Sequence, residues 1–365
     1  MRVLVMGGTL FNGYALVREL VRTGHDVTIL NRGKTQVDLP RSVRRVIGDR
    51  TDHDRIHEVF RDEEFDCVHD MSAYHPEDVE LMYDVFRGKI GHYIFASSTV
   101  IYAASDILPI DESFPVDRSV DQNEYGMHKI LCEEFLFQKF RDNGFPASVA
   151  ALSMVFGPHN GIPDREQRMF GRLLQGRKIL IPGDGRTLGQ VGHVDDQARA
   201  LRMMMGQPVT YGKRYNLTGS QAYTSEGYVD VFARVVGVDA DKVFIPADVM
   251  DGMWDGEIDI AAGRMQSRIE IRPSASGVQT ASSTRQKYHL ATLVQRLAPH
   301  LHRWDRSVVF GIDRLRRDIG WEPEYTFESM VQQTYEWFVD QGLDHSLTFD
   351  FAAEDQILSM LETRR

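Results

Sequence analysis

A doubly wound α/β fold around a parallel sheet is the class this chain predicts, and three observations predict it. Short apolar runs alternate with amphipathic stretches through the first 155 residues. Those runs are apolar almost without a break, as strands are when both faces of their sheet are covered. A glycine cluster, MGGTLFNG (6–13), joins the first run to the first helical stretch. Strand–helix–strand alternation implies parallel pairing with right-handed crossovers.

The elements follow in order. RVLVM (2–6), DVTIL (26–30), VRRVI (43–47), FDCVHD (65–70), HYIFAS (92–97) and ASVAAL (147–152) read as strands. NGYALVRELVRTG (12–24) and PEDVELMYDVF (76–86) carry the period of amphipathic helices. After VFGP (155–158) the rhythm loosens into a helical stretch at 164–177, a strand running into a helix at 191–201, and a strand at 214–219. The segment 250–306 has little periodicity before QKYHLATLVQRLAPHL (286–301), and the helix TFESMVQQTYEWFVDQG (326–342) comes later. The expected division is a domain over 1–155, with 188–218 returning to it, and a smaller α/β lobe with a C-terminal tail over 156–365.

Composition narrows the function classes. The chain has 365 residues, 42% hydrophobic and 26% charged, with a formal net charge of −11. That sign opposes a general grip on a phosphate backbone, so no nucleic-acid partner is expected. Two cysteines, Cys67 and Cys132, build neither a disulfide framework nor a thiolate metal cluster. No signal-peptide pattern and no membrane-length apolar run is present. A cytoplasmic location with no membrane partner is expected.

The glycine cluster is legible physically. One glycine makes the tight turn after the strand, another lets the backbone approach a pyrophosphate, and a third lets the helix pack closely. Gly7, Gly8 and Gly13 are present, and the middle position is Leu10. Thr9 offers a hydroxyl, and Phe11 and Asn12 offer amides at the helix start. A second strand ends near residue 30, as a dinucleotide-binding βαβ unit requires. The position that reads the ribose falls on Asn31 and Arg32, where an acid is absent. Arginine pairs with a 2′-phosphate, so NADP is preferred over NAD.

A second constellation lies downstream. EYGMHK places Tyr125 and Lys129 four apart, on one helix face. HYIFAS ends in Ser97, and Ser98 and Thr99 follow at a strand C-terminus, where open parallel sheets bind ligands.

In this order the glycine loop, GDRTD (48–52), Ser-Ser, Tyr-x-x-x-Lys, VFGP, GHVDDQARAL (192–201), RYNLTG and DIGWEP resemble the extended, partly atypical branch of the short-chain dehydrogenase/reductase superfamily, the NAD(P)-dependent epimerases and dehydratases. The resemblance covers about residues 1–340. It implies a Rossmann-type sheet and a catalytic set of Ser98, Tyr125 and Lys129. Cofactor contacts are implied at the loop residues 7–13, at Asn31, Arg32, Asp49, Arg50, Met71, Ser72, Ala73 and Ser97, at Tyr125 and Lys129, and at Leu152 and Ser153. Thr99, Met154 and Arg186 are implied substrate neighbours, and no metal is expected. The implied activity is reversible hydride transfer at a hydroxyl or keto carbon of a sugar-like, possibly nucleotide-linked, substrate. Epimerisation and keto reduction both fit. A reductase of a non-sugar metabolite, or a nucleotide- or RNA-binding relative without turnover, are the alternatives.

Four departures bear on this. GGT-x-F-x-G is a variant found in atypical relatives, among them chloroplast RNA-binding proteins, but this chain keeps Ser98, Tyr125 and Lys129. Thr99 and Val100 stand where 4,6-dehydratases carry Asp-Glu, which argues against dehydration. Ala151 and Leu152 replace an Arg-Pro pair. Gly189 stands where UDP-sugar epimerases place a diphosphate-binding arginine, and Arg186 is a nearby substitute. A basic series, Arg264, Arg268, Arg272, Arg285, Lys287, Arg296, Arg303 and Arg306, suits either a substrate phosphate or a solvated surface. His69, His193 and His289 lack metal-ligand spacing. Met127, Ile130, Leu131, Phe135, Leu136, Phe137 and Phe140 give the helix over 121–143 an apolar surface wider than one core-facing stripe, which predicts a homodimer.

Overall fold

A computed structural model describes residues 1–260, 297–298 and 303–364. The basic series from Arg264 to Arg296, His289 and nearly all of the helical stretch expected over 286–301 lie outside the described residues.

Seven parallel strands form the central sheet. They are β1 (Arg2–Met6), β2 (Asp26–Asn31), β3 (Arg44–Ile47), β4 (Cys67–Asp70), β5 (Tyr93–Ser98), β6 (Ala147–Leu152) and the strand Arg214–Leu217, in the spatial order 214–217, β6, β5, β4, β1, β2, β3. The order reverses beside β1, which is where open α/β sheets leave a crevice at their carboxyl ends. Each of the six strands expected within residues 1–155 is present, to within two residues at its start and one at its end, and the strand expected over 214–219 ends at Leu217.

Helices cover both faces. α1 (Phe11–Arg22) buries Leu16, Val17 and Leu20 on one face with Val3, Val5 and Ile29. The helix Val194–Met204 packs beside α1, and Asn12 Nδ2 donates to Gln197 Oε1 at 3.1 Å between them. The opposite face takes α2 (His53–Val59), α3 (Pro76–Phe86) and α4 (Glu124–Asn143), with Ile56, Val79, Met82, Phe86, Cys132 and Leu136 over Val68, Phe95 and Val149. Burying about twenty such side chains at ~1.5–3 kcal/mol each is the main term holding each face.

The later residues form smaller sheets and helices. Ile179–Pro182 pairs in parallel with Lys242–Ile245, and Leu188–Gly189 pairs antiparallel with Tyr223–Thr224. α5 (Glu166–Leu174) starts two residues after the expected boundary. The helix Phe327–Asp340 matches the sequence expectation and packs on Ser225–Val236. A final helix, Ala352–Thr363, had no sequence expectation. It is fastened by Glu354, whose carboxylate accepts from Arg168 Nε at 3.1 Å and pairs with Arg172. Among the described residues no helix is long and apolar enough to cross a membrane.

Candidate active site

The turn after β1 is built by its glycines. Gly7 adopts φ +88°, and a Cβ on Gly13 would stand 2.1 Å from the Gly7 carbonyl oxygen. Only glycine lets the first turn of α1 lie against the strand end. A Cβ on Gly8 would meet Val17 and Ile29 side chains at 2.8 and 2.9 Å. Leu10 is the extended N-cap of α1, half-buried, and no side chain caps the helix. The strain falls one residue on: Phe11 has φ +33° with its ring buried. The first amides of a helix have no intrahelical acceptor, so this uncapped N-terminus is a cradle for an anion. Thr9 is buried beside it.

The neighbouring strand ends close the crevice. Asn31 ends β2, and its Oδ1 accepts from Gly33 N at 2.9 Å. Arg32 and Asp49 lie in the exposed and half-buried loops after β2 and β3, and both have partners. Arg50 is turned inward. Its guanidinium donates to both oxygens of Asp70 at 2.9 and 2.8 Å and to Ser72 Oγ at 3.1 Å, and it lies 3.1 Å from Asp78. Although burial opposes the charge, these carboxylates raise its proton affinity. Arg50 therefore pins the segment Met71–Ser72–Ala73, and Ser72 Cβ stands 2.8 Å from where a Gly7 Cβ would be.

At the carboxyl end of β5, Ser98 Oγ accepts from Val100 N at 3.3 Å, and the Tyr125 phenol lies within its electrostatic reach. Asn123 Oδ1 caps α4 by accepting from Gly126 N at 2.8 Å, which sets Tyr125 in the first turn. Burial pushes the Tyr125 phenol up to about 12; the Ser98 hydroxyl and the Arg165 charge pull the other way. Lys129 is buried one turn on. Its Nζ donates to the carbonyls of Ala73 at 2.7 Å and Ala96 at 2.6 Å. It lies 5.5 Å from the Tyr125 ring centre, 5.1 Å from that of Tyr74 and 4.6 Å from that of Phe95. Burial lowers its pKa, and the Tyr74 phenol opposes that shift.

The structure thus brings together Ser98, Tyr125, Lys129, Ala73 and the Ser72 segment. Thr99 is buried in the 3-10 turn that continues from Ser98. Leu152 ends β6 next to Ser98 of β5. Other expected contacts are engaged elsewhere. Ser97 Oγ donates to Glu133, which also pairs with Arg214. Ser153 Oγ donates to Thr218 Oγ1 at 2.8 Å. Met154 packs into the cluster around Phe156 and Phe170. Arg186 is on the turn after Ile179–Pro182, its side chain 87% exposed and 4.0 Å from Asp184. His69 is sealed inside β4, and His193 caps the helix Val194–Met204 and stacks on Tyr325 at 3.7 Å. Arg303 pairs with Asp305 at 2.6 Å.

Sequence reasoning missed Arg165. It stands immediately before α5, where its charge acts on Tyr125. Its only sequence signal was a cation between two acids, Asp164 and Glu166, at the start of a helical stretch.

A parallel sheet with a glycine turn, an uncapped helix N-terminus and a Ser–Tyr–Lys cluster across its carboxyl edge defines a dinucleotide-binding class of protein. Residues 3–218 match the model of the NAD dependent epimerase/dehydratase family, and the chain belongs to that family of enzymes. The chain is 31% identical over 249 residues to a chloroplast stem-loop binding protein of 41 kDa from Arabidopsis thaliana, covering 65% of this chain and 63% of that protein's length. It is 23% identical over 283 residues to the UDP-glucose 4-epimerase of Bacillus subtilis, covering 65% of this chain and 83% of the epimerase. The crystal structure of UDP-glucose 4-epimerase from Thermotoga maritima shares the fold, with a TM-score of 0.69 at 18% identity over 93% of this chain and 99% of that one.

Proposed function

We propose that this protein moves hydride reversibly between a nicotinamide dinucleotide and a hydroxyl- or keto-bearing carbon of a sugar-like, possibly nucleotide-linked, substrate, as an epimerase or a reductase. The observation that carries the proposal is Lys129, buried one helical turn from Tyr125 with its Nζ 5.5 Å from the Tyr125 ring centre, beside Ser98 at the carboxyl end of β5. The glycine turn and the bare N-terminus of α1 fit a pyrophosphate. Bound there, the dinucleotide supplies the hydride acceptor or donor. Ser98 orients the substrate oxygen, and Tyr125 takes its proton on oxidation or returns one on reduction. Lys129, tied to the carbonyls of Ala73 and Ala96, holds a positive charge where it favours the phenolate.

The finer assignments belong to the same proposal. Arg32, at the end of β2, favours NADP over NAD. The cofactor domain is 1–155 with 188–218, and the rest of 156–365 is the substrate lobe and tail. The protein is a cytoplasmic homodimer that binds neither membrane nor nucleic acid.

Nucleotide-linked hexoses incubated with NAD or NADP test this through the absorbance of reduced nicotinamide. Tyr125→Phe is expected to lower turnover by roughly 10²–10⁴-fold while leaving cofactor affinity unchanged. Near-normal turnover in that variant contradicts the assignment. The 31% identity to a stem-loop binding protein favours a second reading, an RNA-binding relative without turnover. Tight, salt-dependent binding of a stem-loop RNA, with no turnover on any hexose, supports that reading instead.

A further inference from the structure

Two links run from α4 to the segment that joins β4 to α3. Lys129 Nζ donates to the Ala73 carbonyl at 2.7 Å. Its neighbour His128 reaches His75, with the two Nδ1 atoms 3.0 Å apart and the rings edge to face. Both imidazoles are buried. A hydrogen bond between two such nitrogens needs one to donate and the other to accept. His75 opens α3 as its N-cap, in a capping box with Asp78. A side chain in that position accepts from helix amides, so His75 Nδ1 is the acceptor and His128 Nδ1–H donates. The Asp78 carboxylate accepts from the Tyr74 and His75 amides at 2.9 and 3.1 Å. The segment is thus held on both sides of Tyr74, whose ring centre lies 6.0 Å from that of Tyr125. At its other end Ser72 stands against Gly7 of the glycine turn.

We propose that His128, bonded to His75, is a positioning residue that fixes the Ala73 carbonyl and, through it, the Lys129 ammonium beside Tyr125. Its effect on proton transfer rests on the hydride-transfer reading; the histidine clasp does not. A buried ammonium keeps its charge and its place only while acceptors hold it. Ala73 and Ala96 supply two, and the Ala96 carbonyl is fixed within β5. The Ala73 carbonyl lies outside the sheet, two residues from the clasp. Without the clasp that carbonyl drifts, and the charge leaves the position where it favours the phenolate. The dinucleotide turn keeps its own glycines, so cofactor affinity is untouched.

The test uses the full chain with His128→Leu, which fills the space without a donor, and His128→Asn, whose amide donates from the same place. Hydrogen–deuterium exchange read by mass spectrometry follows the peptide spanning residues 71–78. His128→Leu is expected to speed exchange there about tenfold, and His128→Asn to stay near the wild-type rate. Calorimetric titration of NAD and NADP is expected to give wild-type affinities in both variants. With UDP-glucose and the tighter dinucleotide, kcat in His128→Leu is expected to fall roughly 10–100-fold with KM unchanged, and His128→Asn to recover most of it. The proposal is overturned if exchange in His128→Leu is unaltered, if kcat does not fall, or if His128→Asn fails to recover it. Dinucleotide affinity falling in step with kcat marks a general structural role and overturns it as well. Should His128→Leu not fold, His128→Ala takes its place. Absence of turnover in the wild type counts against the hydride reading, and the exchange comparison then decides the clasp alone.

Discussion

At the residue scale, the site depends on how burial moves individual protons. The Tyr125 phenol is held up to about 12 by burial, so it is neutral across the physiological range in the empty protein. A phenolate is needed to take a substrate proton. Oxidative turnover should therefore rise with pH above neutrality, and reductive turnover should not. A pH profile of the oxidative rate that is flat from pH 7 to about 9 contradicts Tyr125 as the base. Gly13 offers a steric counterpart. With 2.1 Å from its would-be Cβ to the Gly7 oxygen, Gly13→Ala must push α1 off the strand. A loss of about 1–3 kcal/mol in a denaturant melt is expected, together with weakened dinucleotide binding. Unchanged binding and stability would mean the turn has slack the geometry does not show.

At the element scale, the strands were legible because both faces of the sheet are covered. RVLVM and ASVAAL are apolar but for Arg2 and Ser148, and each is buried along nearly its whole length. Tyr125 and Lys129 were legible because four-residue spacing projects one helix face. Arg50 was placed in the right loop, but its partners were not readable: Asp70 and Asp78 reach it from a strand and a helix 20 and 28 residues away. Ser97 and Ser98 are adjacent, so alternation sends them to opposite faces, and Glu133 takes Ser97. The helix Ala352–Thr363 was invisible for a similar reason. What holds it includes a buried ion network with α5, Glu354 against Arg168 and Arg172, some 180 residues away in sequence. Glu354→Ala leaves Arg172 without that carboxylate and is expected to cost ~3–5 kcal/mol in thermal or chemical melts. A change within error would show that the network is dispensable.

At the scale of the whole molecule, acid stability follows from two histidines sealed in the sheet. Burial, with smaller contributions from His92 and His25, holds His69 down to about 3, and burial holds His92 to about 3. Their folded values lie below the unfolded 6.5, so their stabilisation is complete above that pH and is lost as pH falls toward 3. Glu166, raised to about 7 by burial, works in the opposite sense and gains as pH falls from 7 to its unfolded value of 4.5. Counting these three groups alone, unfolding takes up about one net proton between these values, a slope of roughly 1.4 kcal/mol per pH unit. The lowered His25, His128, His159 and His193 act with the two histidines, and the raised Glu112 and Glu133 act with Glu166. A guanidinium melt series over that window should show the midpoint falling with pH; a rising midpoint contradicts the assignment.

The outer surface of α4 bears on assembly. Phe135 packs on Tyr83 and Phe137 on Arg214, so part of its apolar width is used within the chain. Met127 and Leu131 remain half-buried. Light scattering is expected to give a dimer mass, and a monomer at micromolar concentration rules out the homodimer.

Hydride transfer at Tyr125 requires that the glycine turn bind a dinucleotide although Leu10 occupies its middle position. Leu10 serves as the extended cap of α1, no side chain caps that helix, and its first amides have no intrahelical acceptor. Calorimetric titration of NAD and NADP into folded, cofactor-free protein measures this directly. One site per chain is expected, with NADP the tighter ligand and its advantage lost in Arg32→Ala. No detectable heat from either dinucleotide up to millimolar concentration would contradict it.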